Sequence, residues 1–220
     1  MKKTEERLLA EELHKGVPAN WYYQSLKVDP FQKYWHRRRF EEIGKLIEPV
    51  KGKVLDVGSA DGMFSKVILD KTNASELVGV EVLEKSVNWA KKHWRKVKKM
   101  KFIVGDAHDL DFPNNSFDAV FCMEVLEHVV NPKKVLEGFK RVLKKGGYGI
   151  FLVPSDSNLF KTIWYFWLHF YPRGWVWKDT HIQTYRNGFL PKLCRKAGFK
   201  IETNKKFILG MLHAVKVRKV

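Results

Sequence analysis

Asp56, Gly58 and Gly62 stand at D-x-G-x-x-x-G spacing where the apolar run Val54-Leu55-Asp56-Val57 breaks, and residues of these types in that order can hold a charged small molecule. Glycines leave bare backbone for a ligand to lie against. Lys53 to Val57 reads as a buried parallel strand, and Met63 to Leu69 resumes at helical spacing. Strand, tight loop and helix N-terminus form the general geometry for an adenine nucleotide or nucleoside at the carboxyl edge of an open α/β sheet. The dinucleotide pattern G-x-G-x-x-G is absent. An acid on the strand itself repels a pyrophosphate and welcomes a cation.

Further along, Leu77-Val78-Gly79-Val80-Glu81 and Phe102-Ile103-Val104-Gly105-Asp106-Ala107 are short strands that each end in an acid. Ser116 to Met123 reads as a fourth strand, followed by Glu124-Val125-Leu126-Glu127-His128-Val129 and later by Leu143-Lys144-Lys145-Gly146-Gly147-Tyr148. In these blocks, over residues 54–154, the chain resembles the class I S-adenosylmethionine-dependent methyltransferases. The resemblance is to the small-molecule and lipid branch that includes the quinone-biosynthesis methyltransferases.

That resemblance implies S-adenosyl-L-methionine as cofactor. Gly58, Ser59, Ala60 and Gly62 would then form the loop at its methionine part, with Asp56 ordering that loop or reaching the amino group through solvent. Glu81, with Val82 beside it, would take the ribose, and Asp106 and Ala107 the adenine. Met123 and Glu124 would lie beside the methionyl chain and the methyl group, and Arg39, with the aromatics of Asn20 to Gln24, would fold over the cofactor. A plain turn with solvated strand ends, and aromatics packed on a sheet edge, are the alternatives.

A methyl sulfonium is already electrophilic, so the protein's task is to align a nucleophile and keep water away. A base is needed only where the acceptor must lose a proton. His128 and His181 are the candidates on the acceptor side, with a structural histidine as the alternative for each. On a helix, Glu124 and His128 would share a face. Cys122 and Cys194 are the only cysteines, nothing has metal-ligand spacing, and no metal is expected.

These residues need an α/β frame. The resemblance implies a Rossmann-like doubly wound sheet of seven strands in the order 3-2-1-4-5-7-6, the last one antiparallel. At 220 residues and 45% hydrophobic content the chain reads as one domain over residues 1–220. Residues 1–50 read as a helical cap. A helix opens at Asp29-Pro30, whereas Asn20 to Gln24 shows no helical pattern. Asn131-Pro132 opens another, which Gly146-Gly147 closes before a fifth strand, Tyr148 to Val153. A helix over Tyr185 to Ala197 and strands over Phe199 to Thr203 and Phe207 to Val217 complete the pattern.

Residues 155–180 form an insert that no core template explains, with Leu159 to Tyr171 apolar almost all round and Trp175 and Trp177 beyond. An apolar substrate cap, an interfacial element resting on a membrane and a homodimer contact are its three readings. The net charge of +17 is concentrated at the C-terminal end, where residues 151–220 hold thirteen basic and three acidic side chains. Such a face attracts anionic lipid or nucleic acid, and a lysine-rich, thermophile-like surface is the bland alternative. No apolar stretch is long enough to span a bilayer and Met1 to Arg7 lacks a signal-peptide core, so a cytoplasmic protein, peripheral to a membrane at most, is expected.

The leading expectation is therefore methyl transfer to an oxygen, carbon or nitrogen of a hydrophobic small molecule or lipid. RNA methylation through the basic face is the alternative, although Cys122-Met123-Glu124-Val125 stands where base-amine methyltransferases carry an Asn-Pro-Pro-Tyr type of tetrapeptide. A non-catalytic cofactor-binding scaffold is the third reading.

Overall fold

The computed structural model describes residues 5–155, 157–171, 174–178, 180–186 and 188–220. Met1 to Thr4, then Asp156, Pro172, Arg173 and Asp179 of the aromatic insert, and Asn187 lie outside the described residues. Eight α-helices are described: α1 (Glu5–Leu13), α2 (Trp21–Val28), α3 (Pro30–Gly44), α4 (Met63–Thr72), α5 (Glu84–His93), α6 (Pro132–Val142), α7 (Asn158–Phe170) and α8 (Phe189–Lys196). The strands are β1 (Lys53–Val57), β2 (Glu76–Glu81), β3 (Met100–Val104), β4 (Phe117–Met123), β5 (Leu143–Pro154), β6 (Lys200–Phe207) and β7 (Leu212–Arg218).

They form one sheet in the order β3-β2-β1-β4-β5-β7-β6. The first five strands are parallel, and β7 runs antiparallel to both β5 and β6. Successive side chains of a strand face opposite sides. Leu55, Val57, Val120 and Cys122 therefore enter one core, where α6 and α8 add Leu136, Phe139, Leu190 and Cys194. Val54, Ala119, Phe121 and Met123 enter the other, where α3, α4 and α5 add Ile43, Ile68, Leu69, Val87 and Ala90. With both faces covered, the central strands carry the continuous apolar runs expected of them. The connections leave β1 and β4 in opposite directions, so a crevice opens between their carboxyl ends.

Asp29 caps α3 by accepting a 3.0 Å hydrogen bond from the Gln32 amide, with Pro30 in the first turn. Asn131 does the same for α6 at the Lys134 amide. Elsewhere the boundaries differ from expectation. Trp21 to Gln24 is helical, because α2 borrows an acceptor from another segment: the Asp61 carboxylate takes the Tyr23 amide at 2.8 Å. Gly146-Gly147 does not close a helix but lies within β5, which begins at Leu143 and shifts register against β4 between Phe117 and Ala119. Helix α8 starts at Phe189, after a left-handed Gly188, and leaves Tyr185 outside it as a buried residue whose hydroxyl donates to the Leu126 carbonyl at 3.0 Å. Strand β6 runs on to Phe207, so β7 starts later, at Leu212.

Candidate active site

The loop after β1 crosses to β2 through the Gly58 and Ser59 amides, both of which donate to the Val80 carbonyl. Gly58 has φ +77°, and a Cβ there would lie 2.1 Å from the Val125 side chain, so only glycine fits this approach. At the end of β2, Glu81 is buried and both its carboxylate oxygens are engaged: one accepts from the Ala60 amide and the other from the Leu83 amide, each at 3.0 Å. Burial raises its pKa above the usual carboxylate range, against the pull of these amides. Past β3, Asp106 accepts from both the amide and the Nδ1 of His108 at 2.9 Å.

Gly58, Ala60, Glu81, Val82, Asp106 and Ala107 line a single cavity of about 880 Å³, together with Met123 and Glu124. Asp56 and Ser59 lie beneath it, on a smaller space shared with Arg39 and Phe64. Gly62 does not line the cavity; it caps α4 in a left-handed conformation and packs on Trp94 and Phe102. The Ser65 hydroxyl donates to Asp56 at 2.6 Å, and burial pushes the Asp56 pKa up to about 7.

A carboxyl whose folded pKa exceeds its unfolded value weakens the fold as pH rises between the two values, because the folded state holds the extra proton. We expect the ligand-free chain to lose roughly 2–4 kcal/mol from this group between about pH 4 and pH 7. Chemical denaturation across that range should show the loss, and Asp56→Asn should remove that component of the pH dependence.

A second cavity of about 730 Å³ adjoins the first and is walled by aromatics, among them Trp35, Phe160, Trp164, Trp167 and Trp177. Helix α7 supplies Phe160, Ile163, Trp164 and Trp167, one face at i, i+3, i+4, i+7 spacing. Its opposite face leaves Tyr165, Phe166 and Phe170 exposed, so the all-round apolar run divides into a lining face and an outer face. The Trp167 indole nitrogen is buried without a hydrogen-bond partner. Trp21, Tyr22, Glu124, His128 and Trp177 line both cavities and form their common wall.

Glu124 does not share a helical face with His128. It sits at φ +55° as the chain leaves β4, and only Leu126 to His128 turns, as a short 3-10 segment. Glu124 pairs instead with Arg39 of α3, whose guanidinium is 3% exposed and also donates to His36 Nδ1 at 3.0 Å. Burial raises the Glu124 pKa, while the Arg39 charge opposes the rise. Arg39, expected over the cofactor, lines the aromatic cavity and the smaller space instead of the 880 Å³ cavity, because its pairing with Glu124 turns it that way; Trp21 and Tyr22 of α2 do line that cavity, and Asp61 pins α2 to the glycine loop.

His128 donates from Nδ1 to the Thr180 carbonyl at 2.7 Å, because a carbonyl only accepts, and its Nε2 therefore carries the lone pair. His181 stacks on Trp164 with ring centroids 4.9 Å apart and lies 5.0 Å from the His128 ring. Burial lowers the pKa of both, His181 to about 4, so both imidazoles are neutral at pH 7. Residue types alone do not single out Asp61, Glu127 or His14, although Asp61 sits inside the glycine loop itself, and they mark Trp177 only as part of the aromatic insert.

Residues 55–151 match the sequence model of a family described as a methyltransferase domain. The demethylmenaquinone methyltransferase of Thermotoga maritima is 31% identical over 144 residues, covering 64% of this chain and 59% of the relative. The chain spans about half to three-fifths of the length of the first curated relatives it matches. Among solved structures, a chain from the complex containing the Haloferax volcanii Trm112 methyltransferase activator superposes with a TM-score of 0.72 at 16% identity, covering 99% of both chains. An S-adenosylmethionine-dependent methyltransferase from Aquifex aeolicus follows the same fold, with a TM-score of 0.62 at 18% identity over 96% of this chain and 98% of its own.

Proposed function

We propose that this chain, which carries a methyltransferase domain on the fold of the S-adenosylmethionine-dependent methyltransferases, methylates an apolar small-molecule or lipid-like acceptor held in the aromatic cavity. The carrying observation is the wall that the two cavities share at Trp21, Tyr22, Glu124, His128 and Trp177. One cavity suits the cofactor and the other an apolar partner, and they meet where a group could pass between them.

The first cavity fits an adenosyl cation on its own chemistry. Glu81 is a fixed, acceptor-only group for a diol, Asp106 and Ala107 line the neighbouring stretch, and Gly58 keeps open a space that a Cβ would force Val125 to vacate. The bound cofactor supplies an electrophilic methyl group. Everything else falls to the chain: Arg39 holds Glu124 at the shared wall, Asp61 holds α2 shut over the crevice, and the tryptophans of α7 exclude water. The buried Trp167 N–H offers one donor to a polar atom of the acceptor.

The outer face of α7, with Tyr165, Phe166 and Phe170, supports a lipid acceptor fetched from a membrane surface. Among the described residues no helix is long and apolar enough to cross a membrane. The basic C-terminal strands favour RNA less than their charge suggests, because Lys205 pairs with Glu42, and Lys216 and Arg218 with Glu48.

The test is transfer of label from methyl-labelled S-adenosylmethionine into organic extract, RNA and protein of the same cells. Label in an organic-soluble product is expected; label in RNA, or binding without transfer, overturns the reading. His128→Ala and His181→Ala should each lower turnover by about 10²-fold or more, as loss of a positioned proton or acceptor contact does; cofactor affinity should be unchanged in His181→Ala and should fall far less than turnover in His128→Ala, because His128 also borders the cofactor cavity. Unchanged turnover removes the residue from the acceptor side.

A further inference from the structure

We infer that Glu127, His128 and His181 form a binding site for a divalent transition-metal cation that opens into the aromatic cavity. One carboxylate oxygen and one ring nitrogen from each histidine lie within 4.8 Å of one another, and among the described residues no other such group occurs. Two imidazoles and one carboxylate are a donor set that suits Zn²⁺, Fe²⁺ or Mn²⁺ and leaves coordination positions open. Metal bonds of 2.0–2.1 Å require ligand atoms roughly 3–3.5 Å apart, so binding would draw the cluster in by about an ångström. His128 Nε2 already lies 4.0 Å from Glu127 Oε1.

What marks the cluster as built is the way it is held. A ligating histidine characteristically donates its other ring N–H to a carbonyl or carboxylate, which fixes the tautomer and aims the lone pair. His128 does this through Nδ1 to Thr180, the residue before His181. The Glu127 carbonyl in turn accepts from the amides of Ile182 and Gln183, both at 2.9 Å, and Tyr185 bonds the Leu126 carbonyl. These four hydrogen bonds clamp the turn that carries Glu127 and His128 to the segment that carries His181. All three donors thus come from two strapped segments and face the same cavity wall.

The inference deepens the proposed reading, on which it rests for one point: an ion there would face the acceptor, and its open positions would take an acceptor oxygen opposite the cofactor cavity. Metal binding itself is independent of that point. The full chain, stripped with a chelator, should bind Zn²⁺ at one ion per chain by titration calorimetry, and Co²⁺ should give the visible absorption of an N/O-ligated site. Glu127→Gln and His181→Ala should each weaken Zn²⁺ binding about tenfold or more, while His169→Ala, on the exposed face of α7, should not. Affinity for S-adenosylhomocysteine should stay constant in all of them, which also reports that they are folded. His181 is only partly buried, so its variant keeps the test open if Glu127→Gln unfolds. Absence of stoichiometric binding, or binding that both variants leave intact, overturns the inference. Methyl transfer by a chain that takes up no stoichiometric Zn²⁺ would sink it and leave the methyltransferase reading standing; stoichiometric binding without methyl transfer would do the reverse.

Discussion

Replacing Arg39 with Ala should cost the fold about 3–5 kcal/mol, the range found when one partner of a buried ion pair is removed. Arg39 is 3% exposed and Glu124 sits at the end of β4 in the left-handed region, so the carboxylate loses its counter-charge where water can hardly replace it. The guanidinium also packs 5.7 Å from the centroids of both the Tyr22 and Phe64 rings and bonds His36, so α2, α3 and α4 loosen together. For a chain of this size that energy lowers the melting temperature by roughly 10 °C. The decisive comparison is the double variant Arg39→Ala/Glu124→Gln. If the single loss comes from a stranded charge, neutralising Glu124 restores part of it, and the double variant melts above Arg39→Ala alone. Equal melting points for the two would mean that Arg39 acts by packing only. Turnover should fall in both variants, because Glu124 belongs to the wall between the cavities.

How far the sequence reveals such a site depends on whether a residue's place is set locally. Strands β1, β2 and β4 are legible because a strand buried on both faces is apolar nearly throughout, whatever packs on it, whereas β3, at the sheet edge, alternates buried and exposed residues; Glu81 and Asp106 follow as the polar residues where the runs end. The sheet order came from the resemblance, and the observed order agrees with it. Helix α2 was hidden because its eight residues gain their N-terminal acceptor from Asp61, distant in sequence. Gly146-Gly147 looks like a helix stop, yet pairing with β4 turns it into an irregularity within a strand. The spacing of Glu124 and His128 misled for a similar reason: the positive φ of Glu124 breaks the helical geometry that the spacing assumed. His128 and His181 were picked out singly. Their meeting with Glu127 depends on hydrogen bonds across more than fifty residues, which no spacing rule contains. The Tyr185 lock onto Leu126 has the same character.

Glu81 should matter most to the cofactor. Its carboxylate is held by two backbone amides at 3.0 Å, one from each side, so its remaining acceptor capacity is aimed rather than free to turn. Two hydrogen bonds from a ribose to such a group are worth about 1.5–3 kcal/mol each, because the acceptor is charged. Glu81→Gln substitutes an amide whose NH₂ cannot accept. Whichever way it faces, it sets a donor against the Ala60 or the Leu83 amide and offers the ligand one good acceptor at most. We expect the affinity for S-adenosylhomocysteine to fall by about 10²- to 10³-fold, the equivalent of roughly 3–4 kcal/mol. Glu81→Ala should lose at least as much, and it should also release the glycine loop, since the Ala60 amide loses its partner. Glu76, at the opposite end of the same strand and paired with Lys53 and Lys101, is the control and should leave binding unchanged when replaced with Gln. Calorimetric titration of the three variants separates these outcomes. A Glu81→Gln variant that binds as tightly as the parent chain would mean that the ligand's sugar lies elsewhere, and the assignment of the 880 Å³ cavity to the cofactor would fail with it.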